Sequence, residues 1–159
     1  MWCLVLIVAW RICKARHADT AFDGEGARRE GGRWNPRGVP VVYSAASLAL
    51  AALEQFVHIS KAAAGISFLS FKVEIPAEVN VSELDIGALP PNWRAEPVPD
   101  ETMAVGDAWI KARTSSVLRV PSVVIPEEFD YVLNPLHPEF RKIRIQSPKS
   151  FSFDPRMWK

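Results

Sequence analysis

Glu54 is the residue of this chain that folding alone explains least. On a helical projection of residues 44–60 it falls on the stripe Ser47, Leu50, Ala51, Glu54, Val57, beside the apolar arc of Leu50, Leu53 and Val57. A carboxylate at the edge of a core-facing stripe is unfavourable unless it is paired or faces a ligand. Two readings stay open: a boundary glutamate in an ion pair with a nearby arginine, or an acidic group lining a site. Arg33 stands in Gly31-Gly32-Arg33-Trp34-Asn35, where flexible backbone flanks a planar, permanently charged fork suited to phosphate or carboxylate. Arg11 closes an otherwise apolar segment, so its charge must reach solvent, a partner or a ligand. Trp34 and Tyr43 offer faces for stacking on a base or a pyridinium ring.

Several familiar chemistries have no support. Gly24-Glu25-Gly26 lacks the third glycine of a dinucleotide fingerprint, and no phosphate-binding P-loop is present. His17, His58 and His137 are scattered without metal-ligand spacing, so no metal is expected. No nucleophile elbow surrounds Ser115, Ser116 or Ser122. The balance of 19 basic against 18 acidic residues gives a net charge of +1, without the basic excess of a nucleic-acid binder. The apolar run at residues 2–10 is far shorter than the ~20 residues that span a bilayer. It also lacks a signal peptide's basic region and cleavage site, so the expectation is a cytoplasmic protein without a membrane partner. On one extended strand, Cys3 and Cys13 would lie about 33 Å apart, against the roughly 7 Å a disulfide tolerates. Both are expected to be free structural thiols.

The elements that must position these groups follow from pattern. Residues 4–12 read as a strand buried on both faces, and residues 15–32 as a long polar loop. Residues 39–43 form a short strand, and residues 44–60 a helix capped by Ser44 or Ser47. Alternation at 66–75 marks a half-buried strand, with Leu69, Phe71, Val73 and Ile75 on one face. A short strand near 79–84 precedes a turn at 90–93, and Asp100 caps a second helix running to about Arg113. Short strands at 116–120, 123–125 and 131–133 end at Pro121, Pro126 and Pro135, and residues 143–153 supply closing strands. The 13 prolines, spread from Pro36 to Pro155, mark turns rather than a disordered tract. The whole is one α+β domain, residues 1–159, around a mixed sheet. An edge strand and Trp2, Phe153 and Trp158 near the termini permit a homodimer.

Taken in order, Gly32-Arg33-Trp34-Asn35, Gly38, Tyr43 and Glu54 resemble the first half of the RES domain, named for an Arg, a Glu and a Ser. The second half is similar too: Gly106-Asp107-Ala108-Trp109, Leu118-Arg119-Val120-Pro121-Ser122, and Asn134-Pro135-Leu136-His137-Pro138-Glu139-Phe140. The resemblance runs from Trp10-Arg11-Ile12 to the terminal strands. It implies an ADP-ribosyltransferase-like fold, a split mixed β-sheet core with few helices that holds NAD in a cleft. It also implies a toxin of a bacterial type II toxin–antitoxin pair, partnered by an Xre-like antitoxin. The implied activity is NAD degradation at the nicotinamide–ribose bond by hydrolysis or phosphorolysis, with ADP-ribosylation of a protein as the alternative. NAD is then a substrate, and no metal takes part. On this resemblance Arg33, Glu54 and Ser122 are the namesake positions, and Tyr43 and Arg11 match further pocket positions. Glu54 would stabilise positive charge on the ribose, Arg33 or Arg11 would grip the pyrophosphate, and Tyr43 would stack on a ring. The Ser122 hydroxyl would bond the carboxamide or a phosphate.

Overall fold

In a computed structural model that describes residues 6–159, the apolar N-terminal segment forms β1 (Ile7–Lys14). Its two faces feed separate cores. Ala9 joins Val42, Val73 and Leu133, whereas Ile12 joins Ala45, Leu50 and Phe68. Two-sided burial is the reason this run is continuously apolar instead of alternating. The expectations placed on Trp2 and Cys3 lie outside the described residues; Cys13 is a buried free thiol, its pKa raised by burial.

The remaining strands are β2 (Val42–Ala45), β3 (Phe68–Ile75), β4 (Val81–Glu83), β5 (Val117–Pro121), β6 (Phe129–Leu133), β7 (Arg144–Ile145) and β8 (Lys149–Phe151). They join in the order β4-β5-β6-β2-β1-β3-β7, with β8 also pairing β3. Only β4 and β5 run parallel, which makes the sheet mixed. β1 and β3 pair along their full length, from Ile7 opposite Ile75 to Lys14 opposite Phe68. By contrast, β1 meets β2 at one residue pair, Trp10 opposite Ala45. The sheet therefore opens into two lobes from a single contact, the split α+β architecture expected.

Three α-helices accompany it among the described residues: α1 (Glu25–Glu30), α2 (Leu48–Phe56) and α3 (Asp100–Ala112). The Ser47 hydroxyl caps α2 by accepting from the Leu50 N–H at 3.0 Å. Ser44 is still in β2, where its hydroxyl donates to the Tyr131 carbonyl, so the helix begins later than its apolar stripe suggested. α3 starts after Pro99, and Asp100 is its first residue rather than its cap. There Asp100 and Glu101 complement the positive end of the helix dipole. No helix among the described residues is long and apolar enough to cross a membrane.

Three expectations require correction. The segment 15–32 is not a plain loop, because it holds a 3-10 helix (Ala15–Thr20) and α1, each too short to show a period. Residues 123–125 are not a strand. The Ser122 hydroxyl accepts from the N–H groups of Val124 and Ile125, which bends the chain into a turn. Phe153 offers no surface for self-association. Phe153 is buried, its ring 5.3 Å from Phe68 and 5.9 Å from Trp158, in the core beneath α2.

Candidate active site

The register of the sheet decides which side chains share a face. Trp10 lies opposite Ala45, Ala45 opposite Asp130, and Asp130 opposite Val120. Since side chains alternate, Tyr43 shares the face of Ala45, diagonal to Asp130. α2 packs on this face through Leu50 and Ala51, and the Trp34 loop covers its other end against Leu118, Val120 and Val132. Glu54, Asp130, Tyr43 and the Arg33–Trp34 loop are thereby gathered on one side of the sheet.

Glu54 projects from α2 to the end of β5. The Ser122 hydroxyl donates to Glu54 Oε1 at 2.6 Å and is itself held by the N–H groups of Val124 at 3.1 Å and Ile125 at 3.0 Å. Ser122 is fully buried. Its hydrogen is engaged by Glu54, so in this arrangement it holds the carboxylate in place. No arginine pairs with Glu54 among the described residues, and the ion-pair reading of this glutamate is set aside. Its second neighbour is another acid. The Asp130 carboxyl is in hydrogen-bonding contact with Glu54; burial first, then that contact and the repulsion of Glu54 and Glu128, push its pKa up to about 9. Asp130 was not singled out from the sequence, although it interrupts a strand face whose next member, Val132, is fully buried.

The loop that carries Arg33 is tied to Tyr43 of β2. The Tyr43 hydroxyl donates to Asn35 Oδ1 at 2.5 Å and accepts the Trp34 N–H at 3.1 Å. Asn35 Nδ2 in turn donates to the carbonyls of Ala27 at 2.9 Å and Val39 at 3.0 Å. Asn35 is the fully buried hub of the loop. A Cβ on Gly32 would lie 2.6 Å from the Tyr43 oxygen, so a glycine is required where the loop crosses the phenol. Burial raises the Tyr43 pKa above its ordinary value, opposed by the nearby Arg33 charge, and the phenol is neutral. Tyr43→Phe would leave Asn35 Oδ1 and the Trp34 N–H unpaired; we expect a loss of about 1–3 kcal/mol in urea unfolding.

The Arg33 side chain is only 9% exposed. One terminal nitrogen donates to the carbonyls of Trp93 at 2.7 Å and Ala95 at 3.0 Å, and the other binds the Glu96 carboxylate. The Trp93 ring lies 6.0 Å from that of Trp34, which seats the 90–96 segment on the same loop. Glu96 is 71% exposed, so the fork is held on one side by rigid carbonyls and on the other by a replaceable carboxylate. A concavity of about 330 Å3 opens beside this loop, lined by Glu30, Gly31, Gly32, Arg37, Val98 and Met103; Glu54 does not line it.

Arg11 is elsewhere. It shares the β1 face of Ala9 and Cys13, opposite to α2, and donates to the carbonyls of Ala21 at 2.7 Å and Tyr43 at 3.0 Å. The second bond crosses the divide where the β1–β2 ladder stops, so the guanidinium ties the lobes together in place of a strand bond. The structure thus removes Arg11 from the face of Glu54, both as a pyrophosphate ligand and as an ion-pair partner of that glutamate. Alternation along β1 is the physical reason. His137 has a local task as well: Nδ1 accepts the Glu139 N–H and Nε2 bonds the Arg113 carbonyl.

An anchored acid and a half-engaged arginine on one face suit a ligand that carries phosphate and develops positive charge next to it. The RES domain profile matches residues 8–154. The chain belongs to the RES domain family. Among RES relatives it is 38% identical over 152 residues to the Prs ADP-ribosylating toxin of Sphingobium sp. (strain YBL2), covering 93% of this chain and 94% of the relative. It is likewise 38% identical over 152 residues to Toxin Res of Yersinia enterocolitica, covering 95% and 99%. The fold is that of a chain in the crystal structure of the M. tuberculosis MbcT-MbcA toxin-antitoxin complex, with TM-score 0.76 at 18% identity over 98% of this chain and 88% of that one.

Proposed function

We propose that this RES-family chain is the toxin of a toxin–antitoxin pair and cleaves the nicotinamide–ribose bond of NAD. The observation carrying this reading is the Glu54 carboxylate, fixed by the 2.6 Å bond from Ser122 on the sheet face it shares with Tyr43. Cleavage breaks the bond between the ribose anomeric carbon and the pyridinium nitrogen. The bonding pair leaves with nicotinamide and neutralises its ring, so the leaving group needs no proton. The sugar becomes an oxocarbenium-like cation that a fixed carboxylate stabilises. Water then adds and loses a proton to give ADP-ribose, or inorganic phosphate adds to give the ribose 1″-phosphate.

Arg33 takes the pyrophosphate in this scheme, exchanging Glu96 for a phosphate oxygen while its bonds to Trp93 and Ala95 keep the guanidinium aimed. Tyr43, locked at its hydroxyl, is a fixed wall for the ring rather than a moving gate. Ser122 acts through Glu54. Ser122→Ala is expected to lower kcat by about 10–100-fold, as a misaimed group does, with KM changed less than about threefold. Toxicity follows from loss of the cytoplasmic NAD pool, and an Xre-like antitoxin restrains it by covering the face that carries Arg33 and Glu54.

The relative named as an ADP-ribosylating toxin supports a second reading, transfer of ADP-ribose to a protein. Incubation with adenine-labelled NAD, cell extract and phosphate separates the two. Label in free ADP-ribose or its 1″-phosphate supports cleavage, and label retained on a protein band replaces it with transfer.

A further inference from the structure

We propose that Asp130 is a positioning residue: it carries the proton that joins its carboxyl to that of Glu54, so that Glu54 is aimed by two donors. Those donors are the Asp130 carboxyl and the Ser122 hydroxyl. The proposal rests on the reading of Glu54 as the group that faces the ribose, and it concerns how the fold maintains that group.

Geometry carries it. Asp130 lies on β6 between β2 and β5, opposite Ala45 and Val120, with its side chain on the face covered by α2. Asp130 Oδ1 is buried and receives no N–H or hydroxyl donor. The carboxyl it touches is Glu54, and two carboxyl groups bond one another only through a proton on one of them. Glu54 already accepts the Ser122 hydroxyl at 2.6 Å, while the donor-poor surroundings of Asp130 favour a proton on Asp130. The ionisable groups facing Asp130 are Glu54 from α2, Glu128 from the preceding turn and Tyr43 from β2, with Arg33 beyond Tyr43. No cation among the described residues forms an ion pair with Asp130, and nothing else removes the need for the proton. Like-charged acids that share a proton separate into one anion and one neutral donor, which divides orientation from charge stabilisation.

The test uses the purified full chain. Carbon-13 carboxyl NMR of Asp130 across pH 3–10 is expected to show a midpoint well above the usual value of about 3.9, and in Glu54→Gln that midpoint moves down toward it. An ordinary midpoint in the unsubstituted protein overturns the proposal. In NAD-cleavage assays the kcat of the unsubstituted protein is expected to fall at high pH as Asp130 loses its proton; Asp130→Asn, which keeps a donor that cannot ionise, should lower kcat about two- to threefold at pH 7 and show no such fall. Asp130→Ala should lower kcat about tenfold or more with KM within about twofold. Equal losses in the two variants, or an alkaline limb that survives in Asp130→Asn, overturn it. A raised NMR midpoint in a protein that leaves NAD intact upholds the shared proton and refutes the reading of the reaction.

Discussion

Glu54→Gln is expected to lower NAD cleavage by about 1,000-fold, about 4 kcal/mol of transition-state stabilisation, while leaving the protein at least as stable as before. The amide keeps the shape of the side chain: its oxygen still accepts from Ser122 and its nitrogen can donate to Asp130. What it lacks is the charge that opposes the cation forming on the ribose. The fold gains from the same change. Asp130 has a folded-state pKa raised by burial and by Glu54, so its contribution to stability is complete only below its unfolded value of about 3.9 and is lost as pH rises toward 9. Replacing Glu54 by an amide removes the repulsion, and the fall in stability between those limits should become shallower. Urea unfolding at pH 5 and pH 8, beside nicotinamide release, checks both halves. Lost activity with a lost fold would mean that Glu54 is structural.

Gly106→Ala is the substitution expected to damage the fold most. Gly106 sits in the middle of α3, against the main chain of the Arg33 loop, and a Cβ there would lie 1.6 Å from the Trp34 carbonyl oxygen. Backbone on both sides leaves no flexible side chain to yield, so α3 must move outward. That opens the cluster of Trp34, Trp109, Leu118, Val120 and Val132. A loss of about 3 kcal/mol or more is expected, lowering Tm by about 6–12 °C in a chain of this size. Activity should fall with it, because Trp34 adjoins Arg33. Gly26→Ala is the control: that glycine lies in α1 with nothing within 4 Å of an added Cβ, and the change should be neutral or mildly stabilising. Equal Tm values for the two variants would contradict the close packing of α3 on the loop.

The sequence carried the fold where periodicity is long. The two-faced β1, the alternating β3 and the Ser47-capped α2 all have enough turns or pleats to reveal their buried sides. It failed where a side chain competes with the backbone, as at Ser122, whose hydroxyl turns 123–125 away from the sheet. Glu54 was legible as an acid on an apolar stripe. Asp130 bears the corresponding signature at a period of two, an acid beside buried Val132, but a strand of five residues shows it only once its register is known. Arg11 was misread because its charge is spent on two carbonyls at the lobe junction, a demand that arises only when the sheet splits. The hub role of Asn35 was not legible because its four side-chain hydrogen bonds include partners as far away as Ala27 and Tyr43.

The most direct test is the intracellular NAD content of cells induced to make this protein without an antitoxin, followed beside cells making Glu54→Gln at the same level. NAD should fall before growth stops in the first culture and stay at the uninduced level in the second. Growth arrest at undiminished NAD, or depletion by the Glu54→Gln protein, would contradict it.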